Sequence, residues 1–325
     1  MGYAQKGEGD YGDVSHVPFG SKESHDPPKR WLRAKSLHSI MNEHKNESVG
    51  TNGTVMKLYL SNLDPIKHCE IELGDITLFV GKPNTGKSTA MKAIYFSLRE
   101  KGIKDIAYLH RDRACWSFQT LLMQGIARET GSLSKYDEKI YSLVKPLLKG
   151  QLEYHGQDLV YIEDGKVITW EKVSSSVLEI VSFLLSVKEE SIVLYEEPET
   201  HLHEELQLLM GIVLYALSPT NPLVISTHSQ TVFYTITHLS MLKPTKEELK
   251  GLFEDLKVKD YEALAEAVEK ANEKVKVKVY HFTEGGVKDV NIDEAMKGMP
   301  GTIDILEKEF RWFSSLHSKR LFEQW

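Results

Sequence analysis

Regular alternation of hydrophobic and polar positions begins near Val55. Val55–Leu60 (VMKLYL) has the period of a half-buried strand, and Ile71–Leu73 predicts its hairpin partner. Ile76–Val80 (ITLFV) is a continuous apolar run, the pattern of a central strand covered on both faces. A helix is expected over about Ser88–Glu100, ended by Gly102, then a strand at Ile106–Leu109. Residues 114 to 150 read as mainly helical. Leu159–Ile162 and Val167–Trp170 flank Asp164-Gly165, a hairpin-turn dipeptide. Ser175–Val187 predicts a helix, Ser191–Tyr195 a strand, Glu204–Leu217 a helix and Leu223–Ser226 a strand. This alternation predicts an α/β fold with a mostly parallel central sheet, flanking helices and an antiparallel β portion. Thr245-x-x-Glu248 then opens a charged helical stretch that runs with a break to about Lys274. Val275, Val277 and Val279 alternate with polar residues as a half-exposed strand. Glu284-Gly285-Gly286 turns the chain into Val287–Ile292, and a last helix is expected over about Thr302–Phe322.

Residues 1–53 lack this patterning. They are rich in Gly, Ser, Asp, Lys and His, carry Pro27-Pro28, and hold few large apolar residues outside Trp31-Leu32. They are expected to form a disordered or loosely attached arm. The whole chain has 325 residues, 41% hydrophobic and 27% charged, as in soluble globular proteins. Its net charge of −7 argues against a wholly basic nucleic-acid wrapper. Two cysteines, Cys69 and Cys115, with no CxxC, exclude a disulfide framework and a cysteine zinc site. The longest apolar run, Leu208–Leu217, is half a membrane span and reads as a buried helix. No basic-then-apolar leader pattern opens the sequence, and the expected location is the cytoplasm without membrane insertion.

The chemistry concentrates at three strand ends. Gly81-Lys82-Pro83-Asn84-Thr85-Gly86-Lys87-Ser88 satisfies GxxxxGK[ST] between a buried strand and an amphipathic helix. The glycines let backbone N–H groups close round phosphate oxygens, and the helix N-terminus adds positive potential. Lys87 is placed to reach the β- and γ-phosphates of ATP, Ser88 to ligate Mg²⁺, and Thr89 to lie near the α-phosphate. Glu196 and Glu197 end the next apolar strand, where one carboxylate can hold the Mg²⁺ shell and the other orient an attacking water. His228 follows the strand Leu223–Ser226 and is expected at the same edge, within reach of the γ-phosphate. Two other patterns read as structural. His201-x-His203 looks like a turn entering a helix rather than a metal site, and Glu284-Gly285-Gly286-x-x-Asp289 like a hairpin turn.

At this point the chain resembles a known group. Leu58–Lys67, Ile71–Thr77 and the P-loop look like the N-terminus of ABC-type ATPases of the RecF, SMC and overcoming-lysogenisation-defect (OLD) group. Glu196-Glu197-Pro198-Glu199-Thr200-His201-Leu202-His203 is similar to that group's Walker B and D-loop, and Thr227-His228-Ser229 to its switch histidine. Tyr108–Arg113 falls at its Q-loop, which implies that Arg113 binds nucleotide. Ser174-Ser175-Ser176 lies at its signature position. The signature lacks glycine, and the Walker B metal residue is Glu196 rather than Asp. The resemblance covers about residues 55 to 240, and no Toprim nuclease domain is expected, since no DxD follows Glu284-Gly285-Gly286-x-x-Asp289. It implies an ABC-type core over 54–242, with a helical lobe at about 114–155, and a helical and β-hairpin extension over 243–325 packed on that core. It implies an ATPase in which Glu197 is the base, Lys87 and His228 contact the γ-phosphate, and Ser88 and Glu196 hold Mg²⁺. Ser175 and Ser176 would face the ATP of a second copy in a head-to-tail homodimer. The processes implied are DNA repair, genome maintenance, phage defence or toxin–antitoxin action, with DNA or a nuclease or toxin as partner. A membrane-transporter cassette and a nucleotide-gated scaffold that does not hydrolyse ATP are the alternatives.

Overall fold

The structure, a computed structural model, describes residues 56–63, 65–113, 135–295, 297–301 and 312. The arm 1–53, the segment 114–134 and most of the final predicted helix lie outside the described residues. Elements are numbered in chain order among the described residues.

Strands β1 (Met56–Leu63) and β2 (Ile66–Leu73) form an antiparallel hairpin, with Leu58 opposite Ile71 and Leu63 opposite Ile66. The partner strand is longer than its predicted last three residues. Lys67, His68 and Glu70 face water while Ile66, Cys69 and Ile71 face inward, so its first half is polar on one side only. Next come β3 (Ile76–Gly81), α1 (Lys87–Glu100) and β4 (Ile106–Leu109). After the undescribed segment, Asp137 caps α2 (Glu138–Val144) by accepting from the N–H groups of Lys139 and Ile140. Strands β5 (Gln151–His155), β6 (Asp158–Glu163) and β7 (Lys166–Ile168) form a small antiparallel sheet. Asp164 and Gly165 both take positive φ at its second turn, as a type I′ turn requires. The helical lobe expected to reach about 155 therefore ends earlier. Buried Leu152 between exposed Gln151 and Glu153 gives β5 the strand period.

The central sheet has the order β11-β10-β3-β9-β8-β4, where β8 is Ile192–Glu196, β9 Leu223–Ser226, β10 Val277–Thr283 and β11 Gly286–Val290. Every pairing in it is parallel except β10 with β11. Alternate side chains of these strands build two cores. Leu78, Val193, Tyr195, Ile225 and Val279 join the core formed with α2, α3 (Ser175–Ser186), α4 (Glu204–Leu217), α5 (Gln230–Leu242), α6 (Lys246–Asp255) and α7 (Glu262–Ala271). Phe79, Leu194, Val224, Tyr280 and Phe282 join the other, with α1 and the first hairpin. The fold is thus an α/β three-layer arrangement with a mixed, mostly parallel sheet. The apolar run Leu208–Leu217 becomes the buried part of α4, which packs against α5, α7 and α2. Gly211 permits this, because a Cβ there would lie 2.9 Å from Thr235. Among the described residues no helix is long and apolar enough to cross a membrane.

The segment from 243 onward is not an extension laid on a finished core. Its strand β10 pairs with β3 in parallel, Phe282 opposite Gly81, and so supplies an interior strand of the sheet. The Tyr280 hydroxyl also accepts from the Glu72 N–H at 2.7 Å, tying β10 to the first hairpin.

Candidate nucleotide site

Parallel pairing brings the C-terminal ends of β3, β9 and β8 side by side, and the three predicted motifs leave the sheet from those ends. The loop after β3 is set by backbone needs. Gly81 has φ 133°, and a Cβ there would lie 2.2 Å from the Phe282 carbonyl oxygen on β10. Gly86 has φ 100° and abuts Ile66, where a Cβ would lie 2.9 Å away. Asn84 also takes a left-handed conformation, at φ 62°. Thr85 closes the loop by donating to the Lys82 carbonyl at 2.8 Å. Lys87 opens α1 and folds back, donating to the carbonyls of Gly81 and Lys82 at 2.8 Å each. Burial lowers its pKa to about 8, against the opposing pull of Glu197 and Glu199. Lys82, Pro83, Asn84 and Ser88 are exposed, and Thr89 is half-buried.

Glu196, at the end of β8, is only 1% exposed. Its Oε1 accepts from the Tyr108 hydroxyl at 2.5 Å, and its Oε2 lies 3.6 Å from His110 Nε2. Burial and this bond push the Tyr108 phenol well above its usual range. Glu197 takes φ 48°, a left-handed conformation that costs a non-glycine residue about 1–3 kcal/mol. It is held from both sides: its N–H donates to the Ser226 carbonyl at 2.8 Å, and its carbonyl accepts from Arg113 at 2.9 Å. The conformation leaves the Glu197 carboxylate 4.0 Å from His228 Nε2, at the open edge of the site. Burial and nearby Lys87 lower the His228 pKa, and Glu197 opposes them.

Arg113, expected to bind nucleotide, is engaged within the protein. It is buried, its guanidinium donates to the carbonyls of Glu196, Glu197 and His110, and it pairs with the Glu179 carboxylate on α3. It also lies over the Tyr195 ring, 4.4 Å from the centroid. The cation thus serves as a clamp beneath the acidic strand end. Nothing in the local sequence Tyr108–Arg113 reveals this, because the Glu196 and Glu197 carbonyls and the Glu179 carboxylate come from distant positions.

Ser175 and Ser176 stand at the N-terminus of α3, Ser175 exposed and Ser176 half-buried. The cap itself is Ser174, whose Oγ accepts from the Val177 N–H and lies 3.0 Å from the Ser176 hydroxyl. The constellation within one protomer is therefore the P-loop, Glu196, Glu197 and His228, with the serines outside it.

Glu199 was not singled out by its residue type, yet it knits the site together. Its carboxylate accepts from the His228 N–H at 2.6 Å, the Ser229 N–H at 3.2 Å and the Thr227 hydroxyl at 2.8 Å. The only signal in the sequence is its place in the run Glu196–Glu199.

The residues fit the groups that such a loop takes. A cradle from Gly81 to Thr89 that tolerates no Cβ at either glycine, with a lysine inside it, suits a polyphosphate. The oxygen donors Ser88 and Glu196 suit a hard cation such as Mg²⁺. The Glu196 carboxylate is held in place by Tyr108 and His110.

Residues 55–140 match the family described as the AAA ATPase domain. The match takes in the first hairpin, the P-loop, α1 and β4. No curated protein matches the chain. Among solved structures, the SMC head bound to the C-winged helix domain of ScpA aligns at 12% identity and TM-score 0.45, over 75% of this chain and 99% of its own. An ATP-binding cassette of an ABC transporter in its ADP conformation aligns at 11% identity and TM-score 0.38, over 72% of this chain and 88% of its own. The SMC head domain from Thermotoga maritima aligns at 10% identity and TM-score 0.38, over 73% of this chain and 98% of its own. These scores are low, and the fold stated above stands on this chain's own strand order and register.

Proposed function

We propose that the chain is an ABC-type P-loop ATPase that binds Mg²⁺–ATP and catalyses attack of water on the γ-phosphate. The observation that carries this reading is the meeting of Lys87, Glu197 and His228 at adjacent strand ends, with the Glu197 carboxylate 4.0 Å from the His228 ring. In this reading the P-loop N–H groups and Lys87 bind the β- and γ-phosphates. Bound at Ser88 and Glu196, Mg²⁺ supplies charge neutralisation. Glu197 orients the water and accepts its proton, and His228 lies beside the γ-phosphate. The clamp of Arg113 on the carbonyls of Glu196 and Glu197 supports the role of Glu197, because a base must be held within hydrogen-bond reach of its proton. Steady-state phosphate release in the presence of Mg²⁺ tests the reading. Wild-type protein should release phosphate, and Lys87→Ala should lose ATP binding by calorimetry while melting as a folded protein. ATP binding without phosphate release would instead make the chain a nucleotide-gated scaffold.

The finer reading is a head-to-tail homodimer with two ATP molecules between protomers, located in the cytoplasm. Its opening would act on a DNA-related process or on a nuclease or toxin partner. Support for the dimer is the exposure of Ser175 at a helix N-terminus, a position open to phosphate of a second copy. A double Ser175→Arg/Ser176→Arg variant and Lys87→Ala should each be inactive. Mixed together they form one interface with both elements intact, so part of the activity should return. No rescue, with heterodimers shown to form, would remove the support for a site shared between two copies.

A further inference from the structure

The hydrogen bonds behind His228 join two loops that leave neighbouring strands. Glu199 belongs to the turn after β8, and Thr227-His228-Ser229 to the turn after β9. One carboxylate takes three donors of the second turn: Oε1 accepts from the N–H groups of His228 and Ser229, and Oε2 from the Thr227 hydroxyl. A second bridge runs parallel to it. The Ser229 hydroxyl donates to Gln207 Oε1 at 2.6 Å, and Gln207 Nε2 donates to the Leu202 carbonyl at 2.8 Å. Ser229 also caps α5 by accepting from the Val232 N–H. The His228 backbone thus hangs on side chains of the acidic turn, while its ring, 36% exposed, lies beside the Glu197 carboxylate at the open edge of the site.

We infer that Glu199, backed by Gln207, is a positioning residue that sets the His228 ring beside the γ-phosphate and makes the turn after β8 control that histidine. The inference rests on the ATPase reading above. Glu199 does not itself touch the reacting atoms. A ring displaced by about 1 Å forfeits on the order of a hundredfold in rate, which is the size of effect to expect from losing the brace.

Glu199→Ala, Glu199→Asp, Glu199→Gln, His228→Ala and the double variant Glu199→Ala/His228→Ala test this. Glu199→Ala removes the brace, and Glu199→Asp keeps the charge but falls one methylene short. Glu199→Gln can rebuild it, its oxygen accepting from the two N–H groups and its amide donating to Thr227. Expected are a roughly hundredfold lower kcat in Glu199→Ala and Glu199→Asp, ATP affinity within about threefold of wild type, and most of the rate restored in Glu199→Gln. The double variant should match His228→Ala within about twofold, since Glu199 acts only through that ring. Multiplying losses, a neutral Glu199→Ala or a neutral His228→Ala would overturn the inference. Nuclear magnetic resonance of the labelled His228 ring in nucleotide-free protein gives a reading independent of turnover. Its resonances should move in Glu199→Ala and Glu199→Asp but hold in Glu199→Gln. An unmoved ring in the first two overturns the positioning role. Wild-type protein that releases no phosphate overturns the ATPase reading alone, with the ring measurement still deciding the brace.

Discussion

Lys87 shows how a single side chain is tuned by its surroundings. It is the main cation facing the phosphate cradle, yet it is buried against two carbonyls with a pKa of about 8. Below about pH 8 it carries its proton before ATP arrives; above that it must take one up as the polyanion binds. The Kd for ATP should therefore stay flat up to about pH 8 and then rise by up to about tenfold per pH unit. Calorimetry in buffers of differing ionisation enthalpy should show proton uptake on binding above that pH. A Kd unchanged between pH 7 and pH 9.5 would mean that the lysine is protonated throughout or does not bind the phosphates. Glu197 is tuned by backbone rather than by charge. Its left-handed φ is held by Ser226 and Arg113, two residues far away in sequence, so its residue type alone gave only half of its role.

At the scale of elements, Arg113 and Glu179 join the end of β4 to α3 beneath β8. Both are buried, and among the described residues Arg113 Nε and Glu179 Oε2 have no hydrogen-bond partner. Burial already raises the Glu179 pKa to about 7, so without Arg113 that carboxyl takes up a proton, and the lost hydrogen bonds to the Glu196 and Glu197 carbonyls should make Arg113→Met cost about 1–3 kcal/mol. The double variant Arg113→Met/Glu179→Leu should recover part of that loss in urea unfolding. A cost below about 1 kcal/mol for Arg113→Met would show that water enters the site and satisfies the freed carbonyls. This contact also marks where sequence reading reached its limit. The P-loop was legible because strand, glycine loop and helix are contiguous, and the Glu196-Glu197 pair because an apolar strand points at it. The contacts of Arg113 with Glu179 and Tyr195 were not legible, since these partners are brought together by folding. The sequence of β10 has a half-exposed pattern for a related reason. Lys278 extends from within the sheet toward Glu72 and Asp289, at 3.4 Å and 3.8 Å, so a lysine marks a position flanked by strands on both sides.

For the molecule as a whole, the sheet closes the argument from chain to chemistry. β10, contributed from beyond residue 243, presses its Phe282 carbonyl against Gly81 and so shares in shaping the first turn of the phosphate loop. The region after β9 is in this way part of the nucleotide site's foundation, and partner contacts there would bear on a strand that borders the P-loop. The central claim is that Glu197 at the end of β8 is the base for γ-phosphate hydrolysis. The most direct test is single-turnover phosphate release by Glu197→Gln alongside its ATP affinity. The amide keeps the side chain's shape but accepts no proton. The account predicts ATP affinity within about threefold of wild type and release slowed by about a hundredfold or more, with an ATP-held dimer accumulating on size exclusion. Release by Glu197→Gln at the wild-type rate would contradict it.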